Sequence, residues 1–245
     1  MTTFDIRRAG ERFHTRAGWL DSHHSFSFSR HYDPANTHFG LLLVSNDDTV
    51  APGTGFDTHP HRDMEIVTWV LSGSLVHQDS QGHHGIIHPG LAQRMSAGSG
   101  ILHSEKNDAA GSPDPVHFVQ MWVVPDEDGI TPGYQQLDVR PQLDRGQLVP
   151  IASGRPGHDA AIRIHQKDAA LHVARLAGGG AAALPYAPFA HVFVARGIVD
   201  LEGVGLLAAG DAVRVRDASG QRITALPDTP AEVLVWEMHA ELTYA

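Results

Sequence analysis

Four side chains stand out for what their types and spacing could do together. His59 and His61 flank Pro60, and His103 and Glu105 flank Ser104. In an extended segment, residues i and i+2 point to the same face. Each pair therefore presents two donors side by side, and a proline costs little at a sheet edge or a strand lead-in. If the two segments are adjacent strands, three imidazole nitrogens and one carboxylate converge on one point. Such a set suits Fe(II), Mn(II), Ni(II), Cu(II) or Zn(II). It leaves an open position for water, substrate or dioxygen. The chain of 245 residues has no cysteine, so any metal must be held by imidazole and carboxylate. Iron–sulfur clusters, thiolate zinc sites and cysteine nucleophiles are excluded on the same ground. Thirteen of the 18 histidines precede residue 125, which makes the first half the place to look for a metal.

The elements that must position these donors read as strands. Glu65–Leu71, Ser74–Gln78, Gly85–His88, Ala92–Met95 and Val116–Val124 are extended in character, with Gly and Pro turns between them. A second block repeats the order: His191–Ala195, Ile198–Glu202, Ala212–Val215 and Ala231–Glu237. Gly73 and Gly90 punctuate the first block as Gly197 and Gly210 punctuate the second, a repeat degenerate in letters but parallel in layout. Pro125–Gly133 between them is polar and turn-rich and reads as a linker or crossover. Short strands at this spacing indicate an all-β sandwich or barrel. The net charge of −10 opposes nonspecific binding to nucleic acid or anionic membranes. The N-terminus lacks the apolar core of a secretory signal, and no apolar run reaches 18 residues. The expectation is a cytoplasmic protein with no membrane segment and no direct nucleic-acid contact.

Longer patterns carry a family resemblance. Gly53, His59, His61, Glu65 and Gly73 resemble the first cupin motif, and Gly100, His103 and Asn107 the end of the second. The run His59-Pro-His-Arg-Asp-Met-Glu65, then Gln78-Asp-Ser80, Pro89-Gly90, Met95-Ser-Ala-Gly-Ser-Gly100 and His103-Ser-Glu105, is similar to the pirin family. So are Gly18-Trp19, Ser25-Phe-Ser-Phe28 and Asn46-Asp-Asp48. The resemblance covers most of residues 15–125 and is looser through Trp122 and Pro132–Gln135. It implies a bicupin, two β-barrel (jelly-roll) domains in one chain: a metal-binding barrel over residues 1–134 and one without metal over 135–245. It also implies the ligands His59, His61, His103 and Glu105 on iron, most readily Fe(II), with Glu65 in a supporting role. By the glycine punctuation, the places of the four ligands in the second block fall, to within a residue or two, on Ala183, Pro185, Ile223 and Ala225. None of these binds metal.

The resemblance further implies quercetin 2,3-dioxygenase activity on a small aromatic substrate and dioxygen, with Glu105 as the base that takes the flavonol 3-hydroxyl proton. The alternative it implies is an iron-dependent, redox-sensing regulator acting through a protein partner. Phe56, Arg62, Met64 and Met95 flank the motifs as candidates for the pocket entrance, Arg62 foremost for a polar group. Trp69 and Trp122 lie in strands and are expected in the core.

Overall fold

The computed structural model describes all residues except 109, 111, 112, 244 and 245. The first half contributes β1 (Thr3–Arg7), β2 (Phe13–Arg16), β3 (Leu20–His24), β4 (Leu42–Val50), β5 (Gly55–His61), β6 (Glu65–Ser72), β7 (Leu75–Asp79), β8 (His84–Ile87), β9 (Leu91–Ser96), β10 (Ile101–Asn107), β11 (Val116–Val123) and β12 (Gly133–Asp138). One helical turn, α1 (Arg140–Leu143), leads into the second half. There follow β13 (Val149–Ser153), β14 (Ile162–Arg163), β15 (Ala169–Leu176), β16 (Ala181–Ala183), β17 (Tyr186–Arg196), β18 (Ile198–Leu201), β19 (Gly205–Ala208), β20 (Ala212–Ser219), β21 (Arg222–Ala225) and β22 (Ala231–Met238). No helix among the described residues is long and apolar enough to cross a membrane.

Each half pairs a seven-stranded sheet with a four-stranded one. The N-terminal sheets run β12-β9-β6-β11-β4-β3-β2 and β5-β10-β7-β8. The C-terminal sheets run β1-β20-β17-β22-β15-β13-β14 and β16-β21-β18-β19. The expected duplication is present as two jelly rolls that differ at one sheet edge, where β14 pairs parallel with β13 while β2 pairs antiparallel with β3. The sheets of each half face one another without joining into a closed barrel. Sheet membership also departs from a division after residue 134. β1 lies beside β20 in the C-terminal sheet, and β12, which spans that boundary, lies beside β9 in the N-terminal one. Each half thus has an otherwise open sheet edge covered by a strand from the far side of the division.

The two large sheets pack face to face, and this explains the long apolar runs. Val67, Trp69 and Leu71 of β6 point at the other half, in one cluster with Met121, Phe193, Leu234 and Trp236. The alternate residues Ile66 and Val70 point inward, toward the small sheet. β6 and β22 are consequently buried on both faces, which removes the apolar–polar alternation of a half-exposed strand. Trp69 and Trp236 are among the largest fully buried side chains, each contributing about 1.5–3 kcal/mol by burial. Their indole N–H groups find partners across the interface: Trp69 donates to Glu232 Oε1 at 2.7 Å, and Trp236 to Met121 Sδ at 3.2 Å.

Candidate metal centre

β5 and β10 are adjacent antiparallel strands of the small N-terminal sheet, and His59 stands directly opposite His103. The ring centroids of His59, His61 and His103 are 4.5–4.9 Å apart, and one donor atom from each lies within 4.8 Å of the others. Between His103 and Glu105 the register shifts by a bulge, so Glu105 faces Phe56 rather than Asp57. Gly55 makes the bulge possible. Its φ is +150°, and a Cβ there would lie 2.2 Å from the carbonyl oxygen of Glu105. The extra residue of the bulge lies on β5, and past it Glu105 Oε2 is 3.9 Å from His103 Nε2.

The hydrogen bonds leave the converging nitrogens free. His59 Nδ1 meets the carbonyl of Asp57 at 2.7 Å, which turns Nε2 toward the cluster. Nε2 of His61 and Nε2 of His103 are buried without any hydrogen-bond partner. A buried polar nitrogen without a partner costs about 1–3 kcal/mol, so two side by side call for a ligand. Burial, with neighbouring imidazoles next in weight, pushes the pKa of His61 down to about 4 and that of His103 down to about 3. Both rings are then neutral at physiological pH, with lone pairs available. Glu105 is 2% exposed, and Gln120 Nε2 donates to both its oxygens, at 2.9 and 2.8 Å. Trp122 fixes the orientation of that amide. Its indole N–H can only donate, and it donates to Gln120 Oε1 at 3.1 Å, so the amide nitrogen faces the carboxylate. Three imidazoles and a carboxylate, two of the nitrogens orphaned, fit a divalent transition metal.

His59, His61 and Glu105 lie in the wall of a cavity of about 290 Å³. Leu20, Phe28, Phe56 and Trp122 give it apolar sides, and Ser22, His24, Asn46 and Asp48 a polar one. Asp48 accepts a hydrogen bond from the Ser22 hydroxyl, and burial, with the Asp47 and Glu105 charges adding to it, raises its pKa to about 7. A larger concavity of about 750 Å³, beside Leu143, Arg175 and Arg196, has no imidazole in its lining.

Residues 6–123 match the family described as Pirin, and residues 151–238 match the Quercetinase C-terminal cupin domain. A Mycobacterium tuberculosis protein, provisionally named a quercetin 2,3-dioxygenase, is 62% identical over 240 residues, covering 98% of this chain and 97% of its own. The quercetin 2,3-dioxygenase of Escherichia coli is 38% identical over 235 residues, covering 95% of this chain and 97% of its own. The chain belongs to the pirin family. Among solved structures, the pirin YhhW of Escherichia coli superposes with a TM-score of 0.85 at 36% identity, over 99% of this chain and 100% of that one. A structure of YhhW in complex with nickel(II) superposes at 0.84, with 36% identity, over 97% of this chain and 100% of that one.

Other residues of this pirin settle in different places. Phe56 lines the cavity, and so does Trp122, whose ring meets that of His61 edge-on at 4.8 Å instead of sitting in the core. Trp69 and Met95 are core, and Met64 packs against the Met95 cluster. The Arg62 side chain is 72% exposed, bonded to Asp63, and outside the cavity. Glu65 is fully buried on the face of β6 turned to the other half, accepting from Ser96 Oγ at 2.9 Å and from the backbone N–H of His165 at 3.0 Å. It ties the halves together, away from the cluster. Asn46 and Asp48 belong to a run that carries the family resemblance but had no expected place in the site, and Ser22, His24 and Gln120 were not singled out by the sequence. Only Gln120 carried a local signal, as a polar residue inside the apolar run of β11. Ser22, His24, Asn46 and Asp48 lie in strands polar on both faces, Leu20–His24 and the Ser45–Thr49 part of β4, where spacing alone does not say which face turns inward.

Proposed function

We propose that this pirin is a metal-dependent dioxygenase that opens the heterocyclic ring of flavonols such as quercetin. In this reading His59, His61, His103 and Glu105 hold one divalent transition metal, Fe(II) foremost. The observation that carries it is the pair of orphaned buried nitrogens, His61 Nε2 and His103 Nε2, beside a carboxylate in the wall of an aromatic-sided cavity. The names of the relatives and the nickel(II) complex of YhhW support it. The cavity is at the small end of ligand pockets, which hold about 300–1,000 Å³, and suits one compact planar molecule rather than a polymer.

When bound, the metal supplies Lewis acidity and a centre at which substrate oxygen and dioxygen are brought together. The residues do the rest. Leu20, Phe28, Phe56 and Trp122 receive the planar rings and keep water out. Glu105 takes the proton of the flavonol 3-hydroxyl, and Gln120 holds both carboxylate oxygens for that transfer. The balance is one flavonol and one dioxygen giving one depside and one carbon monoxide. The ring carbon that bears the 3-oxygen leaves, and both dioxygen atoms stay in the depside.

The test is direct. Protein loaded anaerobically with Fe(II) and then exposed to air should bleach quercetin and release carbon monoxide in equal amount. Absence of turnover with Fe, Mn, Ni and Cu, across several flavonols, refutes the assignment. The His61→Ala variant should lose metal and turnover together.

A further inference from the structure

Behind the three imidazoles lies a fourth that the proposed reaction does not use. His77 on β7 is fully buried, and its Nδ1 lies 3.4 Å from Nδ1 of His103. Where two ring nitrogens face each other, one must donate and the other accept. The network decides which. His77 Nε2 lies 3.2 Å from Asp79 Oδ2, and an ionised carboxylate only accepts, so His77 carries its proton on Nε2. In the neutral ring Nδ1 is then bare and accepts from His103 Nδ1–H. His103 is left with an unprotonated Nε2, the atom that is buried without a partner and turned toward Glu105.

The far end of this chain is held as firmly. Asp79 Oδ1 accepts the backbone N–H groups of Gln81 and His83, at 2.9 and 3.0 Å, and Oδ2 meets His83 Nδ1 at 3.0 Å. The Tyr134 ring, from β12, stacks on His77 with centroids 4.8 Å apart and planes inclined by 28°. Gly85 leaves room for it, since a Cβ there would come within 2.2 Å of the Tyr134 hydroxyl. Both nitrogens of His77 are engaged, so it is not a further ligand.

We infer that Asp79 and His77 are a positioning pair that locks His103 in its metal-binding tautomer and so sets the affinity of the metal centre. The inference rests on the reading of His103 as a ligand. Supporting partners of this kind alter metal affinity by about 10–100-fold.

Cobalt(II) added to the metal-free full chain is the probe, with affinity from titration and geometry from the visible absorption bands. His77→Leu fills the space but cannot accept, and should bind cobalt about 10–100-fold more weakly with altered bands. His77→Gln offers an acceptor oxygen and should recover most of the affinity. Asp79→Asn should weaken binding in the same direction. Circular dichroism and melting of the metal-free variants check that they fold; should His77→Leu fail to fold, Asp79→Asn decides alone. Wild-type affinity and bands in either folded variant overturn the inference. His59→Ala separates the two levels: if it too binds cobalt like the wild type, the metal-centre reading itself has failed.

Discussion

Replacing Glu237 by glutamine should loosen the C-terminal half and leave the metal centre's affinity unchanged. Glu237 is 4% exposed at the end of β22. Its Oε2 meets His172 Nε2 and its Oε1 meets His239 Nε2, both at 2.8 Å, and the Arg155 guanidinium closes on Oε1. Burial by itself would raise its pKa. The hydrogen bonds from His172 and His239 and the charges of His172 and Arg155 outweigh burial and hold the pKa at about 2, against an ordinary 4.5. A carboxylate whose folded pKa is depressed contributes stability that is complete above the unfolded value and is lost as pH falls through the folded one. The gap between 4.5 and about 2 corresponds to about 3 kcal/mol. Solvent screening of the partly exposed Arg155 and His239 brings the expected loss to about 2–3 kcal/mol at pH 7. For a chain of this size that lowers the melting midpoint by about 4–10 °C. Urea denaturation of wild type and variant at pH 7, 4 and 3 measures the deficit, which should shrink below pH 4.5 and approach zero near pH 2. Cobalt(II) titration at pH 7 should show no change. A deficit under about 0.5 kcal/mol at pH 7, or one that persists undiminished in acid, refutes the reasoning.

Gln120→Leu removes both hydrogen bonds to the Glu105 carboxylate. At about 1.5–3 kcal/mol for a bond to a charged group, steady-state kinetics should show a loss of about ten- to hundredfold in quercetin turnover, with metal content retained. Asp48 has the opposite sign to Glu237. Its folded pKa is raised to about 7, so its contribution to stability falls as pH rises from about 4 to 7. The metal-free Asp48→Asn variant should therefore gain on the wild type across that range, and denaturation at pH 4.5 and 7.5 showing a constant difference would contradict this. Gly55→Ala forces a side chain into a positive φ and onto the Glu105 carbonyl. It should cost about 1–3 kcal/mol in thermal denaturation and reduce metal retention on dialysis.

Much of the fold was legible because strand signals are local. The run from Glu65 to Leu71 and that from Ala231 to Glu237 end within a residue or two of β6 and β22. That His59 and His61, and His103 and Glu105, stand side by side was legible because i, i+2 spacing fixes a shared face whatever the sheet. What escaped depends on partners distant in sequence. Nothing within Thr3–Arg7 shows that it pairs with Ala212–Arg216, and nothing in Tyr134 shows that it stacks on His77. Trp122 looked like core because its strand is apolar; the adjoining cavity exists only once β3 and β4 are set beside β11. The bulge at Glu105 depends on Gly55 across the ladder, not on the residues around Glu105.

The duplicated topology sets the proposed metal centre beside a second cluster of similar residue types whose donors are already engaged. In the second half β16 pairs with β21 as β5 pairs with β10, and Ile223 stands opposite Ala182 where His103 stands opposite His59. The spot is filled by an apolar cluster with Val199, Leu201 and Leu207, so no donor remains there. The second half does bring His158, His172 and Glu237 within ligand distance of one another. Yet Glu237 is already shared among His172, His239 and Arg155, and His158 Nδ1 is 3.2 Å from Ser153 Oγ. A cation entering there would have to displace a guanidinium and break bonds already made. At His61 and His103 the situation is reversed, because the lone pairs are buried, neutral and without partners, so a bound ion relieves a cost the fold already carries. Residue types are similar in the two clusters. Whether the donors are free is what differs, and that follows from the second layer of partners, Asp57 behind His59 and the Asp79–His77 pair behind His103, as much as from the imidazoles themselves.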